Sequence, residues 1–188
     1  MKRINPNYIT SLRLFVFAPL VCFFLMHGCL VLALASMILG EITDGLDGKV
    51  ARMNGRVSDF GKIYDPMCDS IFHMTIWMSF LALGWVSVYF VIFFFARDIM
   101  VSYIRIWLAS QREKIILAAR MSGKIKAVAQ ATTQISIIVF HLFLSGNILE
   151  YIQPALVWLA AIVTLYSLLD YGISSYLRVF RARESSSC

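Results

Sequence analysis

The stretch from Leu14 to Leu39 is apolar almost without a break, interrupted only around His27-Gly28. One helix of that length would run about 39 Å, longer than the roughly 30 Å hydrocarbon core of a bilayer. A helical hairpin folded at His27-Gly28 removes the mismatch and predicts two spans, at 8–26 and 29–53. Later breaks at Gly84-Trp85, across 110–123, and from Ser145-Gly146-Asn147 to Pro154 predict four more, at 59–83, 86–109, 124–145 and 154–180. The expected fold class is all-α, a polytopic membrane protein with six transmembrane helices. Residues 1–188 form a single membrane domain, with 183–188 a disordered tail. Composition agrees: with 60% apolar and 15% charged residues, the chain lacks the polar surface to enclose a soluble core. The same apolar excess excludes intrinsic disorder.

Charge placement tests the span count independently. All 17 Lys and Arg fall at the N-terminus, around 49–62, within 97–126, or at 178–183, and none falls at 27–30, 83–87 or 145–154. Six spans with both termini in the cytosol give this pattern under the positive-inside rule. The net charge of +6 therefore reflects topology first and attraction to anionic membrane lipids second, with no nucleic-acid partner indicated. Cys22, Cys29, Cys68 and Cys188 show neither paired nor metal-ligand spacing and are expected to be mostly small buried hydrophobes.

Against this apolar background stand Asp44, Asp47, Asp65 and Asp69 in spans two and three, with Asp59 between them. A charge deep in a bilayer costs on the order of 2.5–3.5 kcal/mol even on the mildest scale. Counting from the outer ends at Cys29 and Gly84, Asp44 and Asp69 both lie about 23 Å down, and Asp47 and Asp65 about 27–28 Å down. Consecutive antiparallel helices should therefore bring Asp44 to Asp69 and Asp47 to Asp65. The i,i+3 and i,i+4 spacings put each pair on one helix face. Hard divalent cations are the natural partners of such an all-oxygen cluster, and two of them would balance four carboxylates. Pairing with Arg52, Arg56 and Lys62 at the membrane edge, or an ion relay in a small cation or proton transporter, would use the same residues. The outer halves of spans two and three hold no acid, which favours an enzyme open on one side over a through-path. Gly45, Gly48, Gly55 and Gly61 flank the carboxylates and allow a ligand close approach. Arg52 can hold a phosphate bidentately, so the ensemble points to metal-assisted phosphoryl chemistry at a membrane surface.

The pattern Asp44-x2-Asp47-Gly48-x2-Ala51-Arg52-x8-Gly61-x3-Asp65-x3-Asp69 resembles, without gap or substitution, the signature of the CDP-alcohol phosphatidyltransferases. That resemblance implies a usually homodimeric, six-helix membrane enzyme with a cytoplasm-facing site, in the inner membrane if the source is bacterial. Such an enzyme moves a phosphatidyl group from CDP-diacylglycerol to an alcohol and releases CMP. It implies Asp44, Asp47, Asp65 and Asp69 as ligands of two Mg²⁺ or Mn²⁺ ions and Asp69 as general base. It also implies Asn7, Thr10, Gly48, Arg52, Ser58 and Gly61 as contacts of the CDP-diacylglycerol head. Pro6-Asn7-x2-Thr10-x2-Arg13, the Arg97-Asp98 pair and Ser122-Gly123-Lys124-x-Lys126 resemble the branch that uses glycerol 3-phosphate. Arg97, Arg105, Lys124 and Lys126 are then the candidate cations for the acceptor phosphate. Cys68-Asp69-Ser70 stands where that branch usually carries Ala-Asp-Lys, which leaves inositol phosphate and serine as alternative acceptors. His73 and His141 are expected as hydrogen-bonded residues of the interior or an interface. Glu41 is either a partner of the cluster or protonated, and Asp170 is expected to pair with a span-four arginine. Tyr89-Phe90 and Phe93-Phe94-Phe95 are expected to face lipid or a dimer contact.

Overall fold

A computed structural model describes residues 10–53, 59–109, 121–144 and 147–185, and among these residues every regular element is a helix, without strands. Six helices follow one another: α1 (Thr10–Met26), α2 (Leu30–Met53), α3 (Asp59–Ala82), α4 (Val88–Ala109), α5 (Met121–Phe143) and α6 (Asn147–Ser185). Asn7, Gly55, Arg56 and Ser58 lie outside the described residues.

The hairpin that the apolar run requires is built by one glycine. Gly28 takes a φ of 72°, the left-handed region that a Cβ disfavours. His27, Gly28 and Cys29 then turn their N–H groups back on the carbonyls of Phe23, Leu25 and Phe24. Gly84, also at 72°, ends α3 in the same way, with Trp85 N donating to Phe80 O at 2.9 Å. Both are Schellman-type endings in which the bond from the residue after glycine closes the last turn. Within α1 the turn Arg13–Phe17 is widened to π-helical geometry, ahead of Pro19. Pro19 has no N–H to give and its ring crowds the carbonyl four residues back, so a wider turn relieves it.

One expectation at the C-terminal side is corrected: the last helix begins at Asn147 rather than at residue 154, with Pro154 inside it, and it runs to Ser185. Proline near the start removes a single bond, and the long apolar face downstream keeps the helix intact.

Polarity is distributed inside out. Phe15 and Tyr89 are 72% and 80% exposed, whereas Arg97, Asp98, Lys126, Gln130 and Gln134 are buried. Water would not tolerate that arrangement, but lipid tails favour it. α5 and Ile148–Leu177 of α6 are long and apolar enough to cross a membrane by composition. The apolar parts of α1 and α2, Thr10–Met26 and Leu30–Thr43, are shorter. The core joins Val21, Leu25, Met37, Phe72, Trp77, Phe80, Phe94 and Ile137. Phe94 therefore departs from the lipid-facing expectation: it is buried and stacks on Trp77 at 4.8 Å, and Phe90 meets Trp158 edge-on. The cysteine expectation holds for Cys68, while Cys22 is half-buried and Cys29, at the hairpin tip, is exposed.

Candidate active site

Thr10 Oγ1 donates to Asp65 Oδ1 at 3.2 Å, and Arg13 Nη2 to Asp69 Oδ1 at 3.0 Å, so α1 and α3 run parallel in register. The hairpin turns α2 back on α1, which makes α2 antiparallel to α3. Among the described residues the backbones of α2 and α3 do not pack together; α1 and α5 each touch both. Two side chains bridge the gap. The Phe72 ring lies against Gly40, where an added Cβ would sit 2.6 Å from its tip. One residue further, His73 Nε2 stands 3.7 Å from Glu41 Oε1. Carrying that register inward brings the backbone of Asp44 to the level of Asp69, and Asp47 to Asp65. The side chains of Asp44, Asp47 and Arg52 are not among those described; these three residues, like Gly48 and Gly61, lie within α2 or α3.

Asp65 and Asp69 lie one helical turn apart and are half-buried. Arg13, 1% exposed although it sits on the first helix, reaches Asp69 with its guanidinium 5.5 Å over the Phe72 ring. Sequence reasoning gave Arg13 no role at the site. Its signals were its place in the Pro6-Asn7-x2-Thr10-x2-Arg13 pattern and a basic residue in the opening turn of an otherwise apolar helix. Asp69 also has His73 Nε2 at 3.4 Å, again on Oδ1. Among the described residues every polar contact of Asp69 thus falls on one oxygen, and Oδ2 has none. A carboxylate held by one oxygen with the other open, one turn from a second carboxylate, suits a hard divalent cation. No three His, Cys, Asp or Glu side chains form a ligand cluster among the described residues, a set that does not include the side chains of Asp44 and Asp47.

His73 is buried, as expected, and locked to α5: its Nδ1 lies 2.8 Å from Gln134 Oε1, while Gln134 Nε2 donates to the His73 carbonyl at 2.9 Å. His141, at the other end of α5, stacks on Trp85 at 3.6 Å and bonds Gln153. Thr10, 2% exposed, directs its hydroxyl at Asp65.

The candidate acceptor cations fall into three settings. Lys126 Nζ donates to both oxygens of Asp98, at 2.8 and 3.0 Å, and Arg97 Nη1 meets the same carboxylate at 2.9 Å while Nη2 donates to Ser167 at 2.6 Å. Arg105 donates to the Tyr171 hydroxyl at 2.6 Å and lies 5.1 Å over that ring. Lys124 is exposed. The expected pairing of Asp170 with an α4 arginine does not form: both arginines are engaged as just given, and Asp170 accepts from Ser122 at 2.6 Å. Both arginine heads do reach α6, but at Ser167 and Tyr171 rather than at Asp170.

Residues 3–166 match the family described as CDP-alcohol phosphatidyltransferase. Among curated proteins, one from Rickettsia typhi is 28% identical over 169 residues, covering 88% of this chain and 93% of the relative. One from Salmonella paratyphi A is 29% identical over 175 residues, covering 88% and 91%. One from Mycoplasma genitalium is 26% identical over 206 aligned positions, covering 93% and 85%. All three carry the name CDP-diacylglycerol–glycerol-3-phosphate 3-phosphatidyltransferase. With the family match running through all four signature aspartates and most of the chain, this protein is an enzyme of the CDP-alcohol phosphatidyltransferase family.

Proposed function

We propose that the enzyme transfers the phosphatidyl group of CDP-diacylglycerol to glycerol 3-phosphate and releases CMP. In this reading it works in a membrane as a homodimer of six-span subunits with cytosolic termini. The site opens to the cytoplasm, in the inner membrane of a bacterium. The observation that carries the chemistry is Asp69, anchored through Oδ1 and open at Oδ2, one turn from Asp65. The acceptor is inferred from the names of the relatives and from the basic interior of α4 and α5.

Asp44, Asp47, Asp65 and Asp69 would hold two Mg²⁺ or Mn²⁺ ions. Those ions would neutralise the diphosphate and stabilise the departing CMP. Asp69 Oδ2 takes the proton of the acceptor hydroxyl as that oxygen attacks the phosphatidyl phosphorus. The new O–P bond forms while the bridging P–O bond to CMP breaks, and CMP leaves with that electron pair. Asn7, Gly48, Arg52, Ser58 and Gly61 bind the nucleotide-lipid head, with glycine backbone giving it room. Thr10 acts beside them by holding Asp65. Arg97 and Lys126 share one carboxylate, so their cluster keeps a net positive charge that can meet the acceptor phosphate. Arg105 and Lys124 add to that field.

CMP release by the purified, lipid-reconstituted protein tests this reading. CDP-diacylglycerol and Mg²⁺ are supplied with glycerol 3-phosphate, inositol phosphate or serine in separate arms. Release with glycerol 3-phosphate, lowered at least about 10³-fold in Asp69→Asn, is expected for loss of the base and a ligand together. Release with another acceptor alone would overturn the acceptor assignment. A fully active Asp69→Asn would overturn the mechanism.

A further inference from the structure

The part of the site that the reaction above leaves unused is its deep wall. There a histidine of α3, a glutamine of α5 and a glutamate of α2 meet. Gln134 has only one way to sit. Its Nε2 donates to the His73 carbonyl, which can only accept, so its Oε1 faces the ring and must accept from Nδ1–H. The paired contacts fix the ring in place and in orientation. His73 Nε2 is then aimed at Asp69 Oδ1, 3.4 Å away, and at Glu41 Oε1, 3.7 Å away. Facing Asp69, which as a base is ionised and can only accept, Nε2 is a donor as well.

We propose that His73, oriented by Gln134, is a positioning residue for Asp69. Together with Arg13 it claims Oδ1 from the membrane side, which turns Oδ2 toward the gap between α2 and α3 where substrate must enter. The two holders are complementary. Arg13 reaches from α1 with a long, bendable side chain, whereas His73 sits one turn from Asp69 on the same helix and is clamped to α5. Arg13 alone would let the carboxylate rotate about its Cβ–Cγ bond; a second donor from another direction stops that rotation. Outer partners of this kind change metal affinity or turnover by about 10–100-fold when removed. The inference rests on the reading of Asp69 as base and ligand.

Two isosteric substitutions separate positioning from packing. Asparagine places an amide N–H where Nδ1 lies and keeps the bond to Gln134 but cannot reach Asp69. Glutamine places its N–H near Nε2 and reaches Asp69 without the ring. Reconstituted wild type, His73→Asn, His73→Gln and Gln134→Met are compared in CMP release. Mn²⁺ affinity is read separately by EPR titration, without substrate. Expected for His73→Asn is a kcat lowered about 10–100-fold with KM for both substrates within about twofold, and weaker Mn²⁺ binding. His73→Gln recovers kcat to within about fivefold of wild type, and Gln134→Met falls between the two. Equal losses in the Asn and Gln variants, or a His73→Asn enzyme with unchanged kcat and Mn²⁺ affinity, would overturn the inference. If His73→Asn does not fold, a wild-type kcat and Mn²⁺ affinity in Gln134→Met overturns it instead. An inactive Asp69→Asn beside unaffected His73 variants would sink only this inference. An active Asp69→Asn would remove the reading beneath it.

Discussion

Replacing Asp98 by asparagine isolates what holds the centre of the bundle together. Asp98 is 5% exposed and takes three bonds of 2.8, 2.9 and 3.0 Å from Lys126 and Arg97, themselves 4% and 6% exposed. Two cations on one anion leave the cluster at +1; Asp98→Asn takes it to +2 with no counter-charge in contact. Removing one partner of a buried pair typically costs about 3–5 kcal/mol, because the remaining charge stays buried without compensation. Lys126→Met takes the cluster to zero and keeps the Arg97–Asp98 pair, so it should cost less, on the order of 1 kcal/mol. The double variant returns the cluster to +1 and should be more stable than Asp98→Asn alone. The expected coupling between the two positions is about 2 kcal/mol, within the range for residues sharing a network. Equilibrium unfolding in mixed micelles, followed by circular dichroism, measures all four proteins. A double variant that simply adds the two single losses, or a Lys126→Met as costly as Asp98→Asn, would refute the argument from charge balance.

Two glycines give contrasting predictions. Gly84→Ala should cost about 1 kcal/mol through backbone strain alone, since its φ is 72° and a Cβ there would meet nothing within 4 Å; a neutral result in the same unfolding assay would mean the left-handed ending is not held. Gly40→Ala should cost about 1–3 kcal/mol by overpacking, because the new Cβ would lie 2.6 Å from a Phe72 ring that is itself buried beneath Arg13. Gly40→Ala should also lower CMP release by shifting Phe72 and Arg13, and Gly40→Ala with Phe72→Leu should regain much of the stability. If the second substitution only adds to the loss, the contact is not the cause.

The two turn glycines show where sequence reading succeeds. Gly28 and Gly84 were legible as turns because the apolar runs around them are too long for one span and each sits where a chain reversal is needed. Asp65 and Asp69 were legible as a pair because spacing of four residues fixes a shared helix face, and the structure places them one turn apart on α3. Pro154 misled, because proline stops a helix only when nothing downstream rewards continuing it. Phe94 misled for a related reason: five aromatic residues within seven positions cannot all face one way on a helix, and periodicity alone does not say which of them finds Trp77. Partners of ionisable residues were least legible. Arg97 and Lys126 meet through Asp98, and Ser122 rather than Arg97 or Arg105 reaches Asp170, because spacing along one helix does not fix which side chains of the neighbouring helices meet it.

The placement of Arg13 follows from the same physics, taken one step further. In lipid, a guanidinium on the first helix must snorkel to the surface or find an anion inside. The π-turn that accommodates Pro19 begins at Arg13, and the residue is buried with its head on Asp69 rather than turned to the surface. A bound metal ion would compete for the same carboxylate, and Arg13 would then be left facing an ion of like charge unless Asp69 serves both. The observed geometry permits that, since Arg13 and His73 take Oδ1 and leave Oδ2. Arg13→Gln, which removes the charge together with the reach and the fork, should therefore weaken Mn²⁺ binding as well as turnover, whereas loss of a residue that merely neutralised Asp69 would tighten Mn²⁺ binding. The sign of that change separates a residue that aims the carboxylate from one that only balances its charge.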